Sequence, residues 1–145
     1  MDQEKLCFIE FVVDNQNRFE SLCRVFNALK HDKQNQLASE DEGEKEQAFR
    51  GDDEWLEFFD VEAKSHFRRS NLDRDKSWSL PSLIFAFQKG EYELVACRMV
   101  SSRKARLEFY PFAFPYGGTG CMKALIEAFG FPIAGENDGT GYVEY

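Results

Sequence analysis

Residues 91–109, EYELVACRMVSSRKARLEF, alternate apolar and polar side chains on either side of a short polar centre. Tyr92, Leu94, Ala96 and Val100 fall on one side of a first run. After the turn Ser101–Lys104, Ala105, Leu107 and Phe109 resume the alternation. A period of two is the mark of a strand, and two such runs joined by a tight polar turn read as an antiparallel hairpin. Pairing Val100 with Ala105 sets Arg98 opposite Leu107 and Ala96 opposite Phe109. Both apolar sets then share a face, as a half-buried hairpin requires. Glu93, Arg106 and Glu108 occupy the other face.

Helices are predicted on both sides of this hairpin. Upstream, Ser79 can cap a helix with Pro81 in its first turn and Leu80, Leu83, Ile84 and Phe87 along one face. Lys89 and Gly90 close it, with Gly90 expected in the left-handed conformation. Downstream, residues 107–132, LEFYPFAFPYGGTGCMKALIEAFGFP, run from the strand through a proline-bounded aromatic segment and a glycine turn into a helix over Cys121–Phe129. Met122, Leu125, Ile126 and Phe129 form its apolar side. Gly130, Phe131 and Pro132 make a Schellman-type stop in which Phe131 folds back towards Ile126. The tail then turns at Asn137–Gly139 between short strands.

The N-terminal half reads as mainly helical. Lys5–Val13 is apolar but short, so periodicity leaves strand and buried helix open; the helical segment that follows tilts the reading to helix. Phe19, Leu22, Cys23, Phe26 and Leu29 then repeat at helical spacing, with Asp14 or Asn15 as cap and Lys30 and His31 at the negative end of the dipole. Residues 32–54 hold only Leu37 and Phe49 as large apolar groups. They are predicted to be an acidic mobile loop or an exposed helix. Asp52 or Asp53 can cap a short helix through Trp55, Leu56, Phe58 and Phe59, and a further turn carries Val61 to Phe67. Residues 68–78 read as a polar connection. The expected architecture is a single α+β domain over residues 1–145. A mainly helical N-terminal half leads to helix, antiparallel hairpin, helix and a C-terminal strand or hairpin in a small antiparallel sheet.

Composition bounds the function. A chain of 145 residues with 43% hydrophobic and 15% aromatic residues can bury roughly 70% of its unfolded surface in one core. The start, MDQEKLCFIEFVV, is acidic and lacks a basic n-region, so a secretory signal is not expected. No run approaches the ~18 apolar residues that span a membrane. Cys7, Cys23, Cys97 and Cys121 form no C-x-x-C pair, which favours reduced thiols and a cytoplasmic location. The net charge of −8 is concentrated: between Glu40 and Glu62 eleven acidic residues face only Lys45 and Arg50. Such a block repels nucleic acid and suits a basic protein partner or plain solvation.

Three segments are candidate sites. The turn Tyr116, Gly117, Gly118, Thr119, Gly120 and Cys121 opens a helix, and its free N–H groups, with Thr119 as cap, suit a phosphate or carboxylate. It lacks the Lys-Ser/Thr ending of a P-loop and the spacing of a dinucleotide site. Cys121 sits where a helix start lowers a thiol pKa, but no base is brought near it by spacing. The aromatic run Phe109, Tyr110, Phe112, Phe114 and Tyr116, broken by Pro111 and Pro115, is expected at a sheet edge or end, mostly as core. Asp52, Asp53, Glu54, Glu57 and Asp60 are the candidate contacts for a basic partner. No H-E-x-x-H, G-x-S-x-G or metal-ligand cluster occurs, so no catalytic residue, metal or cofactor is expected. The composition points to a small protein-binding domain, an inhibitor or immunity-type protein acting on a basic partner. An anion- or small-molecule-binding module at Gly117–Cys121 is the alternative.

Overall fold

In the computed structural model, which describes residues 6–70, 78–112 and 119–145, five antiparallel strands form one sheet with six helices around it. The strands are β1 (Cys7–Val12), β2 (Tyr92–Met99), β3 (Lys104–Pro111), β4 (Ile133–Asn137) and β5 (Tyr142–Glu144). The helices are α1 (Gln16–Ala38), α2 (Glu42–Ala48), α3 (Asp52–Trp55), α4 (Val61–Ser70), α5 (Leu80–Lys89) and α6 (Gly120–Ala128). The α+β class holds, with the helices gathered mainly in the N-terminal half.

The segment expected to be helical at the N-terminus is instead the central strand. The sheet order is β2-β3-β1-β4-β5, so β1 is hydrogen-bonded on both edges. Cys7, Ile9 and Phe11 point into the core opposite Phe109, Leu107 and Ala105, and all six are fully buried. A strand covered on both faces needs no strict alternation, and Phe8, Glu10 and Val12 on the other face are themselves partly or fully covered. That explains why the continuous apolar run carried no period.

The hairpin β2–β3 forms one residue out of the expected register beside the turn and two residues out beyond a bulge. Met99 pairs with Ala105, Cys97 with Leu107 and Leu94 with Phe109, with a shift between Leu94 and Ala96. The bulge absorbs one residue, so Tyr92 and Leu94 before it and Cys97 and Met99 after it all meet the core. Val100 is left 36% exposed. Lys30 Nζ donates to the Val95 carbonyl at the bulge, 2.9 Å away, occupying the outer edge of β2 where the ladder is broken.

The sheet's other face is a ladder of paired charges. Arg98 binds Glu108 through two bonds of 3.0 Å, and Arg106 Nε donates to Glu10 Oε2 at 3.0 Å while its guanidinium lies 4.0 Å from the Phe8 ring centre. Tyr142 donates to the second Glu10 oxygen and stacks on Phe8. Burial alone would raise the Glu10 pKa, but the bonds from Arg106 and Tyr142 and the charges of Arg106 and Lys104 outweigh it and hold the carboxyl below its ordinary 4.5. Arg106 and Glu108 lie on the polar face, as their spacing implied, and Arg98 joins them there.

Helices α1 and α6 pack on the inward face. Asn15 caps α1 by accepting from the Arg18 N–H. Phe19, Leu22, Val25, Phe26 and Leu29 are buried along one stripe. The helix does not stop near His31 but continues to Ala38, and its buried stripe includes Asp32 and Lys33. Asp32 accepts from the Arg50 backbone N–H at 2.9 Å and from Arg50 Nη2 at 3.0 Å, which anchors the chain after α2. Phe49 and Trp55 are buried side by side, and Trp55 Nε1 donates to the Arg50 carbonyl. Residues 32–54 thus hold the end of α1, an exposed α2 capped by Asp41, and an anchored start to α3. Gly51, not Asp52 or Asp53, is the N-cap of α3. Arg18 ties α1 to α4 through Asp60 and Glu62, and Asp60 also accepts from the Ala63 N–H.

Helix α5 carries the expected Ser79 cap, completed as a capping box with Ser82. Gly90 closes it at φ −64°, not in the left-handed region. Its requirement for glycine is steric, because a Cβ there would lie 2.2 Å from the Tyr92 ring. Helix α6 ends as expected: Gly130 has φ +87°, its N–H donates to the Glu127 carbonyl, and the Phe131 N–H reaches that of Ile126. The 137–139 turn joins β4 to β5, with Asn137 Oδ1 accepting from the Gly139 N–H. Pro111 ends β3 two residues past the last pair with β1, Cys7 with Phe109.

Two glycine substitutions separate these causes. Gly90→Ala is expected to destabilise by about 1–3 kcal/mol, because Tyr92 is 1% exposed and cannot swing away. Gly51→Ala, where nothing lies within 4 Å of the new Cβ, should stay within about 0.5 kcal/mol of wild type. Urea unfolding of both variants measures the contrast; equal losses would disprove the steric account.

Candidate functional site

The acidic residues of α3 and the turn after it divide by duty. Asp52, Asp53 and Glu54 occupy the first turn of a four-residue helix, held down from below by Trp55, so their side chains face solvent. Glu57 follows one turn on and is also exposed. Asp60 is different: Arg18 Nε lies 2.9 Å from one of its oxygens and the Ala63 N–H 2.8 Å from the other. Asp52, Asp53, Glu54 and Glu57 are therefore exposed within six residues of one another, and Asp60 is taken for the α1–α4 junction.

Beside that surface lies an open cleft of about 700 Å³ between residues 49–52 and α5. Asp52 and Arg50 form one side, and Ser82, Phe85 and Gln88 of α5 the other. Arg50 brings little free charge to it, since its guanidinium is bonded to Asp32 and lies over the Trp55 and Phe58 rings. Phe85 is 59% exposed, and Lys89 Nζ sits 5.7 Å from its ring centre. Sequence reasoning did not single out Phe85. The available signal was its place off the Leu80–Leu83–Ile84–Phe87 stripe, where a large aromatic residue has no core to enter. Leu56, 43% exposed, and Val61, 77% exposed, are further apolar groups on the surface of the same stretch of chain.

The second predicted site, at the start of α6, falls partly outside the described residues: Tyr116, Gly117 and Gly118 are not among them, and neither are Phe114 and Pro115. Of the remainder, Thr119 does not cap the helix with its side chain. Its hydroxyl donates to Glu136 Oε2 at 3.0 Å, and Glu136 is also bonded by Lys123 and Tyr145. An incoming anion at Thr119 would meet that carboxylate. Phe109 of the aromatic run is buried in the core, while Phe112 is 52% exposed.

Cys121 belongs to a buried polar group with Tyr92 and Lys33. The Tyr92 hydroxyl is 3.4 Å from Cys121 Sγ, and Lys33 Nζ lies 4.7 Å from the Tyr92 ring centre. Burial pushes the Cys121 thiol above its ordinary range, outweighing the Tyr92 bond, the helix-start N–H groups and Lys33. The thiolate expected of a helix N-terminus is therefore disfavoured. Lys33 Nζ donates to the carbonyls of Phe87 and Gly90, both at 2.9 Å, and so closes the C-terminus of α5. Desolvation nevertheless lowers its pKa to about 8, with Cys121 acting in the opposite direction. Lysine at position 33 was unreadable as a structural group, because only the fold shows which carbonyls wait for it.

Among the described residues no group of three or more His, Cys, Asp and Glu side chains is placed to hold a metal ion, and no helix is long and apolar enough to cross a membrane. No protein-family model, curated protein or solved structure matches the chain.

Lys33 gives a pH signature. Its folded pKa of about 8 lies below the ordinary 10.5, so between these values the unfolded chain binds more protons and stability rises with pH. The difference in unfolding free energy between wild type and Lys33→Met should therefore grow by roughly 3 kcal/mol from pH 8 to 10.5. Denaturant titrations of both proteins across that window measure it. A difference independent of pH would mean that Lys33 titrates as an exposed lysine.

Proposed function

We propose that the protein acts by binding a basic protein partner, with Asp52, Asp53, Glu54 and Glu57 as the electrostatic part of the surface and the cleft beside α5 as its receptor for a side chain. The observation that carries this reading is the adjacency of unpaired carboxylates to an open cleft walled by an exposed aromatic ring. A flexible cation such as Arg or Lys, carried on a partner's surface, has both features to meet: carboxylates at the rim, and Phe85 for its aliphatic stem or its charge. Clustered charges of one sign speed encounter with an oppositely charged partner more than they add to affinity. That suits an inhibitor or immunity-type protein, which must reach its target quickly, in a cytoplasmic setting.

The reading also explains where the acids are not neutralised. Within the 40–62 segment, Arg50 is engaged by Asp32 and Lys45 lies 3.7 Å from Glu42. The four carboxylates of the proposed surface have no ion pair among the described residues. Internal pairing would have spent the charge that a partner needs.

Surface plasmon resonance against a panel of small basic proteins and Arg- and Lys-rich peptides tests the proposal. Binding should appear with an association rate that falls tenfold or more between about 50 and 500 mM salt. The combined variant Asp52→Asn, Asp53→Asn, Glu54→Gln and Glu57→Gln should lose that salt-sensitive phase while keeping wild-type stability. Association that is independent of salt, or unchanged in the fourfold variant, would refute it.

A further inference from the structure

Cys23 on α1 and Cys97 on β2 meet across the boundary between helix and sheet. Cys23 S–H donates to the Cys97 carbonyl oxygen, 3.5 Å away, and each thiol shifts the pKa of the other. Both are half-buried, whereas Cys7 and Cys121 are buried. The bulge between Leu94 and Ala96 produces the meeting, because it turns Cys97 instead of Ala96 towards α1. Each thiol stands on a regular element, so the pair is held together by the packing of α1 on the sheet.

We infer that Cys23 and Cys97 form a reversible disulfide that staples α1 to β2 when the protein meets a small-molecule disulfide as oxidant. The Cys23 thiolate attacks one sulfur of the oxidant R–S–S–R, forming a mixed disulfide and releasing one RS⁻. Cys97 then gives up its proton, to the released RS⁻ or to water, and attacks the Cys23 sulfur, expelling the second RS⁻. The protein loses two thiol hydrogens and gains one S–S bond; the oxidant is reduced to two thiols. The order follows from the opposite directions in which the two thiols are shifted. The Cys97 thiol beside it holds the Cys23 thiol below its ordinary range, against burial and the nearby Glu20 charge. The Cys23 thiol, with burial and the negative charges of Cys23 and Glu108, pushes Cys97 up. Cys23 is thus the attacking thiol and Cys97 the resolving one.

The bond would close a loop between residues 74 positions apart, restricting mainly the unfolded chain. The inference does not rest on the acidic surface and can fail or hold independently of it.

Native protein is treated with oxidised glutathione, quenched by acid and alkylation, and mapped by peptide mass spectrometry. The expected product lacks two hydrogens, carries no glutathione, contains a linked peptide joining Cys23 to Cys97, and reverts with dithiothreitol. Its melting midpoint should rise by roughly 5–10 °C. Cys97→Ser should stop at a glutathione adduct on Cys23, and Cys23→Ser should form no internal bond. A persistent glutathione adduct on wild-type Cys23, a link through Cys7 or Cys121, or Cys23 reacting no faster than Cys7 and Cys121 would overturn the inference. If either serine variant fails to fold, mapping of the wild-type product decides alone.

Discussion

Pairing of Cys7–Val12 between β3 and β4 is the contact on which the rest of the structure depends. Every other strand comes from the C-terminal half, so the sheet has no middle until this N-terminal segment enters it. Glu10 pins the register, because Arg106 from β3 and Tyr142 from β5 both reach its carboxylate. A slip of one residue would exchange Glu10 for Ile9 or Phe11 and drive a carboxylate into an apolar layer without partners, a cost of several kcal/mol. The helical layer inherits that register. Phe11 stacks on Phe131 after α6 and touches Phe19 of α1, so both covering helices are located by one strand residue.

A second pattern is the use of charged side chains as internal fasteners. Asp32 fixes the backbone at Arg50, Lys33 closes the end of α5, and Arg18 joins α1 to α4. Each acts on backbone or charge that would otherwise be left unsatisfied below the surface, where a missing partner costs more than a formed bond contributes. Against that thrift, the carboxylates of α3, without an ion pair among the described residues, stand out.

Local signals in the sequence were strongest where the cause is itself local. The Ser79 cap, the Gly130 stop and the 137–139 turn depend on residues within a few positions of one another, and each forms as its residues imply. What escaped was set by distant partners. Lys5–Val13 reads ambiguously because a strand covered on both faces loses its alternation. The end of α1 was placed too early because Asp32 and Lys33 look like solvent-facing residues until Arg50 and the α5 carbonyls are in position. The hairpin register differs by a second residue beyond Val95 because the bulge there has no local mark, its carbonyl being held by Lys30 from another element. The acidic surface was legible as charge, but not the cleft beside it, since Phe85 signals only that it has left its helix's core stripe.

The placement of β1 also has a consequence during synthesis. Glu10 leaves the ribosome 96 residues before Arg106 and 132 before Tyr142. At about 5–20 residues per second that is a wait of roughly 5–20 s before even its first partner strand exists. Helix α1, whose bonds are local, can form in that interval, but the strand ahead of it cannot be paired. The apolar run CFIEFVV therefore spends its first seconds as a bare edge with two free sides. It is the part of the nascent chain with most to gain from a chaperone, and most to lose from a neighbour of its own kind.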